Sequence, residues 1–180
     1  MQALPEKYQL LVLLATWCAM RFGELAELRR SDIDMTTGVI RVRRAVTRLG
    51  GETMVGTPKS NAGVRDIVIP PHLLPIVAEH LRAHAPGHDD LLFPAANGSH
   101  LSPSTLQKPY GRARAAAGRP DLRFHDLRHT GLTWASRFGT VREIQDRGGH
   151  STSAAAMRYQ HTARDRDREI AESLSRWATT

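Results

Sequence analysis

Apolar residues recur at helical spacing through the N-terminal part of the chain. Leu10, Leu11, Leu14, Trp17 and Cys18 predict a helix over Glu6–Arg30, whose later part, Gly23–Leu28, is a second short amphipathic stretch. Ser31 and Asp32 close this region with turn chemistry. The period then changes. Val39, Ile40, Val42, Ala45 and Val46 interleave with Arg41, Arg43 and Arg44, as in a half-exposed strand over Val39–Leu49. Gly50-Gly51 marks a hairpin turn, Thr53–Thr57 a second strand, Lys59–Gly63 a loop, and Val64–Ile69 a third strand ended by Pro70-Pro71.

Helical patterning resumes over Leu73–His84. Pro86–Asp90 reads as a loop and Leu91–Pro94 as a short apolar plug. Ser102-Pro103 has the form of an N-cap followed by proline in the first turn, opening a helix to about Ala117. Gly118–Asp121 breaks it. Further helices are predicted over Phe124–Arg137, Val141–Arg147, Ala154–Met157 and Ala163–Trp177, the last with mixed charges. The layout is α+β and mostly helical, with helices around a small three-stranded antiparallel sheet.

Composition narrows the function. The chain has 180 residues, 41% of them apolar, enough for one domain with a hydrophobic core. Lys and Arg number 25 against 18 Asp and Glu, a formal charge of +7, which favours a polyanionic partner. Most of the cations are arginines, whose planar fork matches phosphate oxygens in pairs. The single cysteine, Cys18, excludes an internal disulfide and fits a reducing cytoplasm. Leu10–Met20, the longest apolar stretch, is too short to span a bilayer, and there is no leader pattern, so no membrane partner is expected.

On a helix, His125 and Arg128 project from one face and put an imidazole beside a permanent cation, a pairing suited to phosphate. The same segment allows another reading. His125 and His129 have the i, i+4 spacing of zinc ligands, but Asp126 stands where a metalloprotease needs Glu, and no third ligand follows at a matching spacing. His80, His84 and His88 also repeat every fourth residue, yet Pro86-Gly87 interrupts their helix. No metal or cofactor is expected.

Read in order, the segments resemble the tyrosine recombinases. Arg21-Phe22-Gly23-Glu24-Leu25 looks like that family's first arginine box, continued by Leu28–Asp34. Thr57-Pro58-Lys59-Ser60 is similar to its hairpin lysine, His125-Asp126-Leu127-Arg128 to its second box, and Gly149-His150-Ser151 to its third. Arg158-Tyr159-Gln160-His161 resembles the nucleophile segment. Two departures stand out. Gly148 replaces a large aliphatic residue and is expected to loosen the helix end; Ala154-Ala155-Ala156 is plainer than the usual Thr-rich run and predicts close packing of a small-residue helix.

The resemblance implies the catalytic-domain fold over residues 1–180, with the family's N-terminal core-binding domain absent from this chain. It implies that Tyr159 attacks the scissile phosphate to form a 3′-phosphotyrosine, that Arg21 and Arg128 hold the non-bridging oxygens, and that Lys59 protonates the leaving 5′-oxygen. His125 and His150 would donate hydrogen bonds to the phosphate, His125 also taking the tyrosine proton, and Glu24 would orient the arginine box. Such a site needs fixed cations because negative charge builds on phosphate oxygens in the transition state. A tyrosine of pKa about 10 is only about 0.1% ionised at neutral pH, so neighbouring cations lower the cost of deprotonating it.

Double-stranded DNA is the partner implied, in the cytoplasm at the nucleoid, with four subunits on paired sites and a monomer without DNA; Ala163–Trp177 is the candidate linking helix. Arg41, Arg43, Arg44, Arg48, Arg112 and Arg114 are candidates for gripping the DNA backbone, or else solvated surface. A non-catalytic or decayed DNA-binding relative and a type IB topoisomerase-like activity remain the other readings of the same residues. Because arginine–phosphate contacts release counterions, DNA binding is expected to weaken steeply as salt rises; a flat affinity profile in a filter-binding titration would contradict it.

Overall fold

The structure, a computed structural model, describes residues 3–58 and 61–157, together with 171, 172 and 175. Its first helix, α1 (Glu6–Trp17), buries Tyr8, Leu10, Leu11, Leu14 and Ala15. The helix expected over Glu6–Arg30 is in fact divided. Ala19 adopts a left-handed backbone with φ of 51°, and a second helix, α2 (Phe22–Glu27), starts just beyond it. That conformation costs a non-glycine residue about 1 kcal/mol. It turns the Ala19 carbonyl to where Arg128 donates a hydrogen bond to it.

The strand expected over Val39–Leu49 also divides. β1 (Ile33–Asp34), β2 (Val39–Val42) and β5 (Arg65–Val68) form a three-stranded antiparallel sheet in the order β1-β2-β5. β3 (Ala45–Leu49) and β4 (Glu52–Gly56) form a separate two-stranded hairpin, paired from Ala45↔Gly56 to Leu49↔Glu52. The break falls at Arg43 and Arg44, which turn to Asp66 and to the Glu27–Asp32 pair. Gly50 and Gly51 take φ of 58° and 87°, as a tight hairpin turn requires.

In the three-stranded sheet, Ile40 pairs with Ile67 and both are buried, while Arg41 and Asp66 face outward. α3 (Leu74–His84) contributes Val77 and Leu81 to the same core and packs against α1. The apolar plug behaves as expected, with Leu92 and Phe93 fully buried. His80 reaches this plug and bonds the Leu92 carbonyl at 2.8 Å, so it serves packing.

The C-terminal elements are α4 (Pro103–Ala116), α5 (Phe124–Ala135), α6 (Val141–Gly148) and α7 (Ser153–Met157). Ser102 caps α4 by accepting from the Thr105 amide at 3.1 Å. Ala156 is fully buried in a small cluster with Ala19, Leu132 and Ile144, but Ala154 is exposed and Ala155 half-buried, so only the last of the three alanines packs as closely as expected. The helix expected over Ala163–Trp177 falls mostly outside the described residues. Among the described residues, no helix is long and apolar enough to cross a membrane.

Helices α1 and α5 touch at Gly131, where a Cβ would stand 1.7 Å from the Thr16 carbonyl oxygen. Gly111, inside α4, has nothing within 4 Å of the same position. Gly131→Ala should therefore lower stability by about 3 kcal/mol, whereas Gly111→Ala should raise it by about 0.5–1 kcal/mol. Urea unfolding of the two variants measures both, and equal effects would contradict the packing described.

Candidate active site

Backbone geometry at the start of α2 sets the first cluster. Arg21 is extended (φ −78°, ψ 152°), and Glu24, three residues on, folds back to accept the Arg21 amide at 2.9 Å. Glu24 is only 2% exposed. Arg21 Nη1 donates to Glu24 Oε1 at 2.8 Å, and Arg21 Nη2 donates to the Gly149 carbonyl at 2.8 Å. From β5, Arg65 forms a two-pronged pair with the same carboxylate, Nη1 to Oε1 and Nη2 to Oε2, both at 2.9 Å. Burial pushes the Glu24 carboxyl up, but the hydrogen bonds and charge of Arg65, then those of Arg21, outweigh it and hold the group below the usual carboxylate range. Glu24 is therefore ionised and fixed.

The second cluster lies on α5 and the turn after α6. Arg128 is 3% exposed and donates to the carbonyls of Ala19 and Gly148. Its Nη2 also donates to His150 Nε2 at 3.0 Å. With Nε2 accepting, a neutral His150 ring carries its proton on Nδ1. Gly149 ends α6 in a left-handed conformation, φ 60°, and places its carbonyl on Arg21. A Cβ there would meet the Ala62 carbonyl oxygen at 2.8 Å, so only glycine fits both the turn and the approach. Contrary to the expectation from its sequence, the end of α6 is not loosened at Gly148. Gly149 and His150 amides bond back to Asp146 and Gln145, and a Cβ on Gly148 would stand 3.0 Å from the His150 ring.

These groups open into a pocket of about 520 Å³ lined by Arg21, Glu24, Val46, Pro58, His150 and Ala155, among others. Gly23 shapes it. A Cβ there would lie 2.4 Å from the Val46 carbonyl oxygen, so the glycine lets the β3–β4 hairpin close over α2. Arg128 sits behind His150 rather than on the pocket wall. His125 lies one helical turn before Arg128 and lines a neighbouring groove of about 580 Å³ with Phe22, Tyr110, Arg114, Arg123 and Phe124. Burial, then the charges of His129 and Arg128, lower its pKa. Lys59 and Tyr159 lie outside the described residues. Among the described residues, no group of three or more metal-ligating side chains is assembled.

The candidate backbone-gripping arginines differ in their surroundings. Arg41 pairs with Asp34 at 2.6 Å, Arg43 with Asp66 at 2.6 Å, and Arg44 with Glu27 at 3.1 Å and Asp32 at 2.9 Å. Arg48 donates to Thr53 and to the carbonyls of His100 and Leu101, and Arg114 to the Leu122 carbonyl. Arg112 is exposed on α4.

Residues 1–166 match the Phage integrase family. The chain belongs to that family. It is 57% identical over 181 residues to the phiRv2 prophage integrase of Mycobacterium tuberculosis, covering 98% of this chain and 48% of that protein. It is 39% identical over 181 residues to the integrase of Mycobacterium phage L5, covering 97% and 49%. The chain thus spans about half the length of the phage integrases it matches. Its fold is also that of more distant recombinases. The Tn1549 transposon integrase in complex with transposon right end DNA superposes with a TM-score of 0.77 at 21% identity, over 94% of this chain and 59% of that one. XerA recombinase gives 0.72 at 22% identity, over 94% and 58%.

Arg65 is the integrase-fold residue that the sequence reading passed over. Its signal was the strand period. With Ile67 and Ile69 facing inward, alternation places Arg65 on the same inner face, where a cation requires a carboxylate partner.

His150 reports the electrostatics of the whole site. Burial, followed by the charges of Arg128, Arg21 and Arg65, depresses its pKa to about 4. The ring should stay neutral at pH 5.5, which its NMR ring-proton shifts would show. Because the folded value lies below the unfolded one, protonation favours unfolding. Stability from this group is intact above about pH 6.5 and is lost as pH falls towards about 4. A ring that titrates near 6.5 would contradict this environment.

Proposed function

We propose that the chain is the catalytic part of a site-specific DNA recombinase, with Arg21, Lys59, His125, His150 and Tyr159 acting on the scissile phosphate, Arg128 lending its charge from behind His150, and Glu24 supporting Arg21. The observation that carries this reading is the pocket in which Arg21 stands braced by Glu24 and Gly149 beside a neutral His150 backed by Arg128. Two residues of its lining bear on the others. Pro58 immediately precedes Lys59, and Ala155 precedes Tyr159 by four residues.

In this reading the Tyr159 oxygen forms a bond to phosphorus as the bond from phosphorus to the 5′-oxygen breaks. The phenolic proton passes to His125, whose lowered pKa leaves it neutral and able to accept. Lys59 delivers a proton to the departing 5′-oxygen. The phosphotyrosine keeps the energy of the cut bond, so a 5′-hydroxyl from another strand reverses the steps without ATP or metal. The partner is double-stranded DNA in the cytoplasm, bound as a tetramer on paired sites, with a monomer in its absence. Arg48, Arg112 and Arg114 are the surface cations best disposed to meet the backbone, since Arg41, Arg43 and Arg44 already pair with carboxylates.

The test is a nicked suicide substrate drawn from DNA flanking the gene, incubated with the protein in EDTA without ATP. A covalent protein–DNA band is expected, lost in Tyr159→Phe and undiminished by the chelator. DNA that is bound yet never joined to the protein would mark a non-catalytic DNA-binding relative instead.

A further inference from the structure

We infer that Arg65 is a positioning residue for the recombinase site, a role that rests on the function proposed above. Its guanidinium does three things at once. It pairs with both oxygens of Glu24, the carboxylate that holds Arg21. Its Nη1 donates to the Gly63 carbonyl at 3.0 Å, four residues after Lys59 in the sequence. Its Nε donates to the Arg147 carbonyl at 2.9 Å, in the last turn of α6 before Gly149 and His150. One side chain thereby ties the arginine box, the turn ending at Gly63 and the histidine turn into one frame.

Arg65 does not line the pocket and is 9% exposed, so it touches no phosphate itself. The charged and titratable groups facing Glu24 and this frame are Arg21 ahead of α2, Arg65 on β5, and Arg147 and His150 from α6 and its turn. Of these, Arg21 and Arg65 are the two that bond the carboxylate. Without Arg65, Glu24 keeps only its bonds to Arg21 itself, so the carboxylate is no longer tied to β5 and Arg21 loses part of the fixed direction that a transition-state contact demands. Lysine keeps the charge but has no planar fork, and a single ammonium cannot meet Glu24, Gly63 and Arg147 in this geometry.

The test uses Arg65→Lys and Arg65→Gln in the full chain, with thermal unfolding to confirm that each is folded. Carbon-detected NMR of the Arg21 guanidinium gives a readout independent of activity. In the parent, Nη1 and Nη2 are held by different acceptors and should give two resolved signals. In Arg65→Lys they should broaden or merge well below the melting temperature. On the nicked substrate at saturating DNA, covalent-complex formation should slow by about tenfold in Arg65→Lys and further in Arg65→Gln, with DNA affinity changed less than about threefold.

If Arg65→Gln does not fold, Arg65→Lys carries the test alone. Unchanged Arg21 signals in folded Arg65→Lys would overturn the inference. So would a loss confined to DNA affinity with the rate at saturation intact. Should the parent itself never join to DNA, the recombinase reading fails, and merging of the Arg21 signals still establishes the positioning of Arg21 by Arg65.

Discussion

A carboxylate buried between two guanidinium groups is the constraint around which this domain is organised. Glu24 is removed from water and exists as an anion because Arg21 and Arg65 both bond it. Removing one partner of a buried pair typically costs about 3–5 kcal/mol, since the remaining charge is stranded. The pair joins α2 to β5, and β5 is hydrogen-bonded through β2 to β1. The core sheet and the arginine of the pocket are thus fixed by one ionic contact, and a shift in either is felt by the other.

Beside the Glu24 carboxylate, the arginines of the site are anchored through the main chain. Arg21 is held at Gly149, Arg128 at Ala19 and Gly148, and Arg65 at Gly63 and Arg147. A carbonyl oxygen orients a guanidinium without cancelling its charge, as a carboxylate would. The depressed pKa of His150 records the result, because that ring sits in the combined field of Arg128, Arg21 and Arg65. A pocket with this potential favours an anionic group.

Much of this was legible in the residues. The His125–Arg128 pair could be found by helical spacing and the Arg21–Leu25 segment by its resemblance to the family's arginine box, and the Ser102 cap, the Leu91–Pro94 plug and the helices flanking them follow from local rules that tertiary contacts reinforce. The divided elements were not legible, because their causes are distant in the chain. Ala19 breaks the first helix where Arg128 meets its carbonyl, and Arg43 and Arg44 break the strand by turning to Asp66, Glu27 and Asp32. Nothing local in either segment predicts those partners. Arg65 was half legible: strand alternation allows either Val64, Asp66 and Val68 or Arg65, Ile67 and Ile69 to face inward, and the buried carboxylate that decides between them lies 41 residues away.

An acceptor that belongs to the backbone is not deleted by a change of side chain. At Ala19, Gly63, Arg147, Gly148 and Gly149 the oxygens that hold the arginines are present whatever residue is encoded, and what selection must preserve there is the path of the chain. Glu24 has no such insurance. Drift among descendants of this protein is therefore expected to be uneven around the pocket: permissive at Arg147, whose side chain takes no part in the bond, confined to residues that tolerate a left-handed backbone at Ala19, closed to anything but glycine at Gly149, and closed at the single carboxylate.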